Sequence, residues 1–279
     1  MPYTAEISRG NPSCFVFLID QSGSMADLFG GGEGNQKKAD FLATAINRLL
    51  QNLVIKCAKE EGIRDYFHLC VIGYGAQVGP AFSGTLSGRE LVPISEVGNS
   101  PARVDQRTKQ VPDGAGGLVE QQVRFPIWFE PVANGGTPMC QALGQAKSIL
   151  ETWLKQHPNC FPPIVINITD GEATDGNPAT AAEEIKRLKC NDGEVLIFNL
   201  HVSSQKGSSF EFPSTDAALP DQFAKQLFAM SSPLTTYQQD IARQSGLAVA
   251  EGGRGFVFNA DMVAVIKFLD IGTRPSALR

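Results

Sequence analysis

Asp20, Ser22 and Ser24 stand at every second position where the apolar run Phe15-Val16-Phe17-Leu18-Ile19 ends. In extended backbone, alternate side chains point the same way, so these three oxygens converge on one patch just beyond a strand. Hard oxygen donors in that arrangement suit a hard cation such as Mg²⁺, which binds protein oxygens at about 2.0–2.1 Å and keeps several waters. A second apolar run, Ile164-Val165-Ile166-Asn167-Ile168-Thr169, ends in the same manner on Asp170-Gly171, with Glu172 and Asp175 following. Between the two lies Asn134-Gly135-Gly136-Thr137-Pro138. Thr137 before Pro138 reads as a helix N-cap with proline at the first helical position, its hydroxyl at the positive end of the helix.

The elements that must position these residues alternate. Leu42, Ile46, Leu49 and Leu53 mark one face of a helix over about 37–59, and Tyr66–Tyr74 reads as a second buried strand. Met139, Leu143, Ala146, Leu150 and Trp153 mark another helix. A helix is expected around 179–189, a strand at 195–202, short helices at 223–230 and 235–245, a strand at 257–258 and a closing helix at 262–269. Strands alternating with helices predict an α/β fold, a doubly wound, mainly parallel sheet with helices on both faces. In such sheets ligands bind beyond the carboxyl ends of strands where the strand order reverses. If the strands ending at Asp20 and Asp170 are neighbours there, Asp20, Ser22, Ser24, Thr137 and Asp170 meet at one crevice.

The 279 residues suit one large domain, here expected over 13–271, with a lead-in at 1–12 and a tail at 272–279. Residues 83–130 lack helical periodicity and read as an insertion with short strand-like pieces at 91–94 and 123–129, in which Trp128 and Phe129 cover the core. The net charge of −5 argues against a nucleic-acid groove or an anionic membrane surface, both of which need a basic face. The six cysteines are widely spaced, with no C-x-x-C pair, and read as reduced thiols. No signal-like or membrane-length apolar segment stands out, so a cytoplasmic protein is expected.

Other chemistries fit less well. The glycine-rich stretch 30–34 resembles a phosphate-cradling loop, but Lys37-Lys38 is followed by Ala39-Asp40 and not by Ser or Thr. His68, His157 and His201 lie far from the motif residues in sequence, and His68 reads as a packed or edge histidine. A Mg²⁺-dependent phosphotransferase with Asp20 as nucleophile is the competing reading. Its motif normally has a second aspartate two residues on, where this chain has Ser22.

Asp20-x-Ser22-x-Ser24, Thr137 opening a helix after Gly-Gly, and Asp170-Gly171 after a buried strand resemble the metal-ion-dependent adhesion site of von Willebrand factor A domains. The resemblance covers roughly 13–271. It implies that Asp20, Ser22, Ser24, Thr137 and Asp170 hold a divalent cation, Mg²⁺ or else Mn²⁺ or Ca²⁺. It further implies that a partner protein completes the coordination shell with a Glu or Asp. Integrin-type relatives place another cation near the position of Asp27, but Ala26 precedes Asp27 here, which favours a single site. The stretch Gly255–Asp261 is similar to bacterial proteins of the tellurite-resistance-associated type. That likeness implies a PP2C-type phosphatase and a Ser/Thr kinase as companions, with an AAA+ ATPase as the alternative.

Overall fold

The computed structural model describes residues 3–30, 35–112, 117–204 and 209–273, with only the backbone of Lys109, Val111, Pro112 and Leu118. Most of the glycine-rich stretch, 31–34, and the terminal residues 274–279 lie outside the described residues. In chain order the elements are β1 (Ser13–Asp20), α1 (Lys38–Cys57), a hairpin of β2 (Ala58–Lys59) and β3 (Gly62–Ile63), β4 (Phe67–Tyr74), β5 (Val78–Pro80) and β6 (Val92–Pro93). Then come α2 (Ile94–Asn99), β7 (Arg103–Pro112), β8 (Leu118–Ile127), α3 (Met139–Gln156), β9 (Ile164–Thr169), α4 (Ala179–Lys186) and a hairpin of β10 (Lys189–Cys190) and β11 (Gly193–Glu194). The chain ends with β12 (Leu196–Val202), β13 (Phe210–Glu211), α5 (Gln222–Met230), α6 (Thr236–Gln244), β14 (Phe256–Ala260) and α7 (Met262–Thr273).

The fold is α/β, with a central sheet ordered β13-β14-β12-β9-β1-β4-β5 and β6 also paired to β4. β1 runs parallel to both β4 and β9, and β12 parallel to both β9 and β14. Among the described residues of this sheet, antiparallel pairing is confined to the short strands β5, β6 and β13. Alternation along β1 feeds two cores. Phe15, Phe17 and Ile19 pack with Leu42, Ile46, Leu50 and Leu53 of α1 and Phe268 of α7. Cys14, Val16 and Leu18 pack with Leu143, Leu150 and Trp153 of α3, Ile185 of α4 and Leu227 of α5. Each such side chain contributes roughly 1.5–3 kcal/mol by leaving water. Burial on both faces is why β1 reads as an unbroken apolar run.

A polar line crosses this apolar sheet. The Tyr74 hydroxyl donates to Asn167 Oδ1 at 2.7 Å, Asn167 Nδ2 donates to Asn199 Oδ1 at 3.0 Å, and Asn199 Nδ2 donates to the Ser231 hydroxyl at 2.9 Å. These bonds link β4, β9 and β12 beneath the site and reach the end of α5.

In the segment 83–130 the expected strand-like pieces fall on β6 and on the end of β8, but the segment is more ordered than short pieces imply. Residues 94–99 are helical, and β7 and β8 pair over ten residues, from Arg103↔Ile127 to Pro112↔Leu118, as a two-stranded ribbon about 33 Å long. Only its base carries apolar alternation, with Phe125 and Ile127 buried. Its base is firmly attached: Trp128 and Phe129 are buried, and the Trp128 indole N–H donates to the Val97 carbonyl at 2.6 Å. Ile7 is buried too, and the Asp192 carboxylate accepts N–H groups from Thr4 and Ala5 at 3.0 Å each, so the lead-in packs on the domain. At the other end α7 runs to Thr273.

Candidate metal centre

The strands ending at Asp20 and Asp170 are neighbours, with Ile19 in register with Ile168. From β1 the chain crosses to β4 on one side and later returns as β9 on the other, so the strand order reverses at β1. The two aspartates therefore meet at the switch point.

Asp20 is 1% exposed and both of its oxygens are engaged. Oδ1 accepts the Ser22 N–H and Oδ2 accepts the Thr169 hydroxyl, each at 2.8 Å. Burial pushes its carboxyl up to about 6, with the Asp170 charge adding to the rise and the Ser22 and Thr169 hydrogen bonds opposing it. The Ser22 and Ser24 hydroxyls lie 3.0 Å apart, and Ser24 donates to Asp170 Oδ1 at 2.8 Å. Asp20, Ser22, Ser24 and Asp170 thus form one connected group, reached from two strand ends.

Thr137 joins through the backbone. Gly23 N–H donates to the Gly135 carbonyl at 2.9 Å, and Asn134 N–H to the Gln21 carbonyl at 2.7 Å, so its loop is stitched to the loop after β1. Thr137 N–H donates to the Thr174 hydroxyl, and Thr174 N–H to the Thr137 carbonyl, both at 2.9 Å. The expected cap is corrected here: α3 begins at Met139 with Pro138 at the N-cap position and no side-chain cap hydrogen bond from it. The N-terminal amides of Cys140 and Gln141 are instead capped by the Asp175 carboxylate, at 3.0 and 2.9 Å. Asp175 is thus a cap supplied from the loop after β9.

No protein-family model matches this chain, and no curated protein matches it in sequence. Among solved structures it is similar to the vWF domain of the type V pili tip protein Mfa5 from Porphyromonas gingivalis, at 17% identity and a TM-score of 0.31 over 58% of this chain and 39% of that one. It is also similar to the PilB minor pilin from Streptococcus sanguinis, at 12% identity and a TM-score of 0.43, covering 95% of this chain and 61% of that one. The pilus adhesin RrgA from Streptococcus pneumoniae follows at 15% identity and a TM-score of 0.30, over 61% and 22% of the two chains. This chain spans less than two thirds of each of those structures, and likeness at this level carries no assignment of a site.

The donors themselves decide what the crevice could hold. Among the described residues, no three His, Cys, Asp or Glu side chains cluster as a metal site. The group at the switch point is built instead from two carboxylates and neighbouring hydroxyls, a donor set suited to a hard cation that keeps waters. Three residues beside it escaped the sequence reading. Lys38, 3% exposed at the start of α1, places Nζ 2.5 Å from Asp170 Oδ2 and 3.9 Å from Asp27 Oδ2. Its signal was a cation at the positive end of a helix, an unfavourable position without a compensating anion. Thr169, directly before Asp170, holds Asp20. His201, remote in sequence, is in register with Thr169 on β12 and stacks on Phe258 with ring centroids 4.2 Å apart. Burial lowers its imidazole to about 4.

Proposed function

We propose that this chain is a metal-dependent protein-interaction module of the von Willebrand factor A type. Asp20, Ser22, Ser24, Thr137 and Asp170 would hold a divalent cation, Mg²⁺ or else Mn²⁺ or Ca²⁺, and a partner protein would add a Glu or Asp oxygen. The observation that carries this reading is the connected group Asp20, Ser22, Ser24 and Asp170 at the strand switch point. When bound, the cation supplies an electrophilic centre that few anionic ligands quench. Asp20 orients the loop through Ser22, Ser24 bridges to Asp170, and Thr137 sits on a loop held to both neighbours. A nucleophilic role for Asp20 is disfavoured, because it is 1% exposed with both oxygens engaged.

The companions suggested by the tellurite-resistance-associated likeness, a PP2C-type phosphatase and a Ser/Thr kinase in bacterial signalling, belong to the same proposal, as does an AAA+ ATPase as alternative. Four of the six cysteines are buried free thiols, which suits a reducing cytoplasm. No helix among the described residues is long and apolar enough to cross a membrane. The test is a pull-down from source lysate with Mg²⁺ or EDTA, using wild type and Asp20→Ala. A partner retained only by wild type with Mg²⁺ supports the reading. Sustained, Asp20-dependent phosphate release from metal-loaded protein would replace it with the enzyme.

A further inference from the structure

The cation already present at this crevice is Lys38. Its side chain is 4% exposed and that of its partner Asp170 is fully buried, so the pair lies out of water. Two effects act against a lysine here. Burying an ammonium is costly unless it is paired, and the start of α1 is the positive end of its dipole. The Asp170 carboxylate at 2.5 Å compensates both. As a result every carboxylate oxygen of the candidate centre is occupied: those of Asp20 by Ser22 and Thr169, those of Asp170 by Ser24 and Lys38.

A dication entering between Asp20 and Asp170 would face an ammonium on the same carboxylate, and like charges at that distance in a buried site repel strongly. A second anion stands within reach. Asp27 Oδ2 is 3.9 Å from Nζ, its side chain is 62% exposed, and its backbone is tied to Lys38 by the hydrogen bond from Lys38 N–H to the Asp27 carbonyl at 3.0 Å. Asp27 and Lys38 therefore stay together while the ammonium has a buried and a solvated carboxylate to choose between.

We propose that Lys38 is a tethered cation that counter-charges Asp170 in the metal-free protein and transfers to Asp27 when a divalent cation binds. This rests on the metal reading above and adds its regulation. Affinity for the dication becomes the free energy of an exchange, and not of simple filling. After the exchange the ammonium lies at the exposed rim, adding positive charge where an acidic partner side chain would approach.

The test uses the full chain, with Mg²⁺ and Mn²⁺ as probes in calorimetric titrations of wild type, Lys38→Met, Asp27→Asn and the double variant. Lys38→Met is expected to bind at least tenfold more tightly than wild type. Asp27→Asn is expected to weaken binding several-fold in the wild-type background and to have no effect beside Lys38→Met. A second readout needs no variant: acylation of the Lys38 amine, followed by mass spectrometry, is expected to rise several-fold when wild type is saturated with metal. Binding by Lys38→Met alone would show that Lys38 blocks the site and does not yield it, and would overturn the exchange. Wild type that binds metal while Lys38→Met binds no tighter and Lys38 labelling stays flat would overturn the exchange and leave the metal centre standing. Absence of binding in both wild type and Lys38→Met would overturn the two together.

Discussion

Asp175 caps α3 from outside the helix, its Oδ1 accepting the Cys140 N–H at 3.0 Å while Oδ2 takes the neighbouring Gln141 N–H at 2.9 Å. One carboxylate thereby joins the loop after β9 to the helix that follows Thr137. Because the helix has no side-chain cap of its own, Asp175→Ala is expected to lower stability by about 1 kcal/mol, read as a shift in the urea midpoint at constant slope. Asp175→Asn should recover part of the loss, since its amide oxygen still accepts one bond.

Asn47 plays the equivalent part at the base of the ribbon. It is 1% exposed, accepts the N–H groups of Trp128 and Phe129 at 2.8 and 3.0 Å, and donates to the carbonyls of Ala43 and Phe129 at 2.8 Å each. Asn47→Ala leaves buried backbone groups without partners, each costing about 1–3 kcal/mol. A total loss of about 3 kcal/mol or more is expected in denaturant unfolding. Increased protease cleavage within residues 103–127 should accompany it.

Gly135 is needed where the two site loops touch. Its φ is +85°, and a Cβ there would stand 2.4 Å from the Ala76 nitrogen. Gly135→Ala is expected to destabilise the protein by more than about 1 kcal/mol and to weaken metal binding. Gly171→Ala is the control: a Cβ at that position meets nothing within 4 Å, so thermal melting should change little.

The histidines at the edge of α3 make stability fall on acidification. Burial lowers the pKa of His68, with the His157 charge acting in the same direction, and burial lowers that of His157. The Trp153 indole N–H donates to His68 Nδ1 at 3.2 Å, which requires that nitrogen to be unprotonated. Both folded values lie below the unfolded value of about 6.5, so the unfolded chain takes up more protons as pH falls. The contribution is full above about pH 6.5 and is lost progressively below it. Between about pH 7 and 5 the urea midpoint of wild type should therefore decline relative to that of His68→Gln, which retains an acceptor for the indole. His201, lowered to about 4, adds to the loss and Asp20, raised to about 6, opposes it, equally in both proteins.

Much of this molecule was legible as periodicity. The two-faced burial of β1 and β9 made them continuous apolar runs, and α1 and α3 showed their buried faces at helical spacing. Local geometry suffices for such features, since neighbours in sequence create them. Asp20, Ser22 and Ser24 were expected to converge by strand alternation, but β1 ends at Asp20 and Gly23–Ala26 is a 3-10 turn, so it is that turn that brings the Ser24 hydroxyl to Ser22 and Asp170. The ribbon was legible only at its base, where Phe125 and Ile127 are buried at alternate positions of the strand-like piece expected at 123–129; farther out β7 and β8 stabilise each other through backbone pairing.

The contacts made across long separations were decided only by the tertiary structure. Lys38 and Asp170 are 132 residues apart, and Thr169 and Asp20 are 149 apart. Which carboxylate a buried ammonium finds, or which acid caps a helix, depends on the order in which parallel strands assemble, and many residues of the right chemistry compete for each place. Sequence by itself determined an α/β sheet that ends two strands on aspartates. The sheet order β12-β9-β1-β4 brought those ends together, because only adjacent parallel strands place their carboxyl termini within hydrogen-bonding reach.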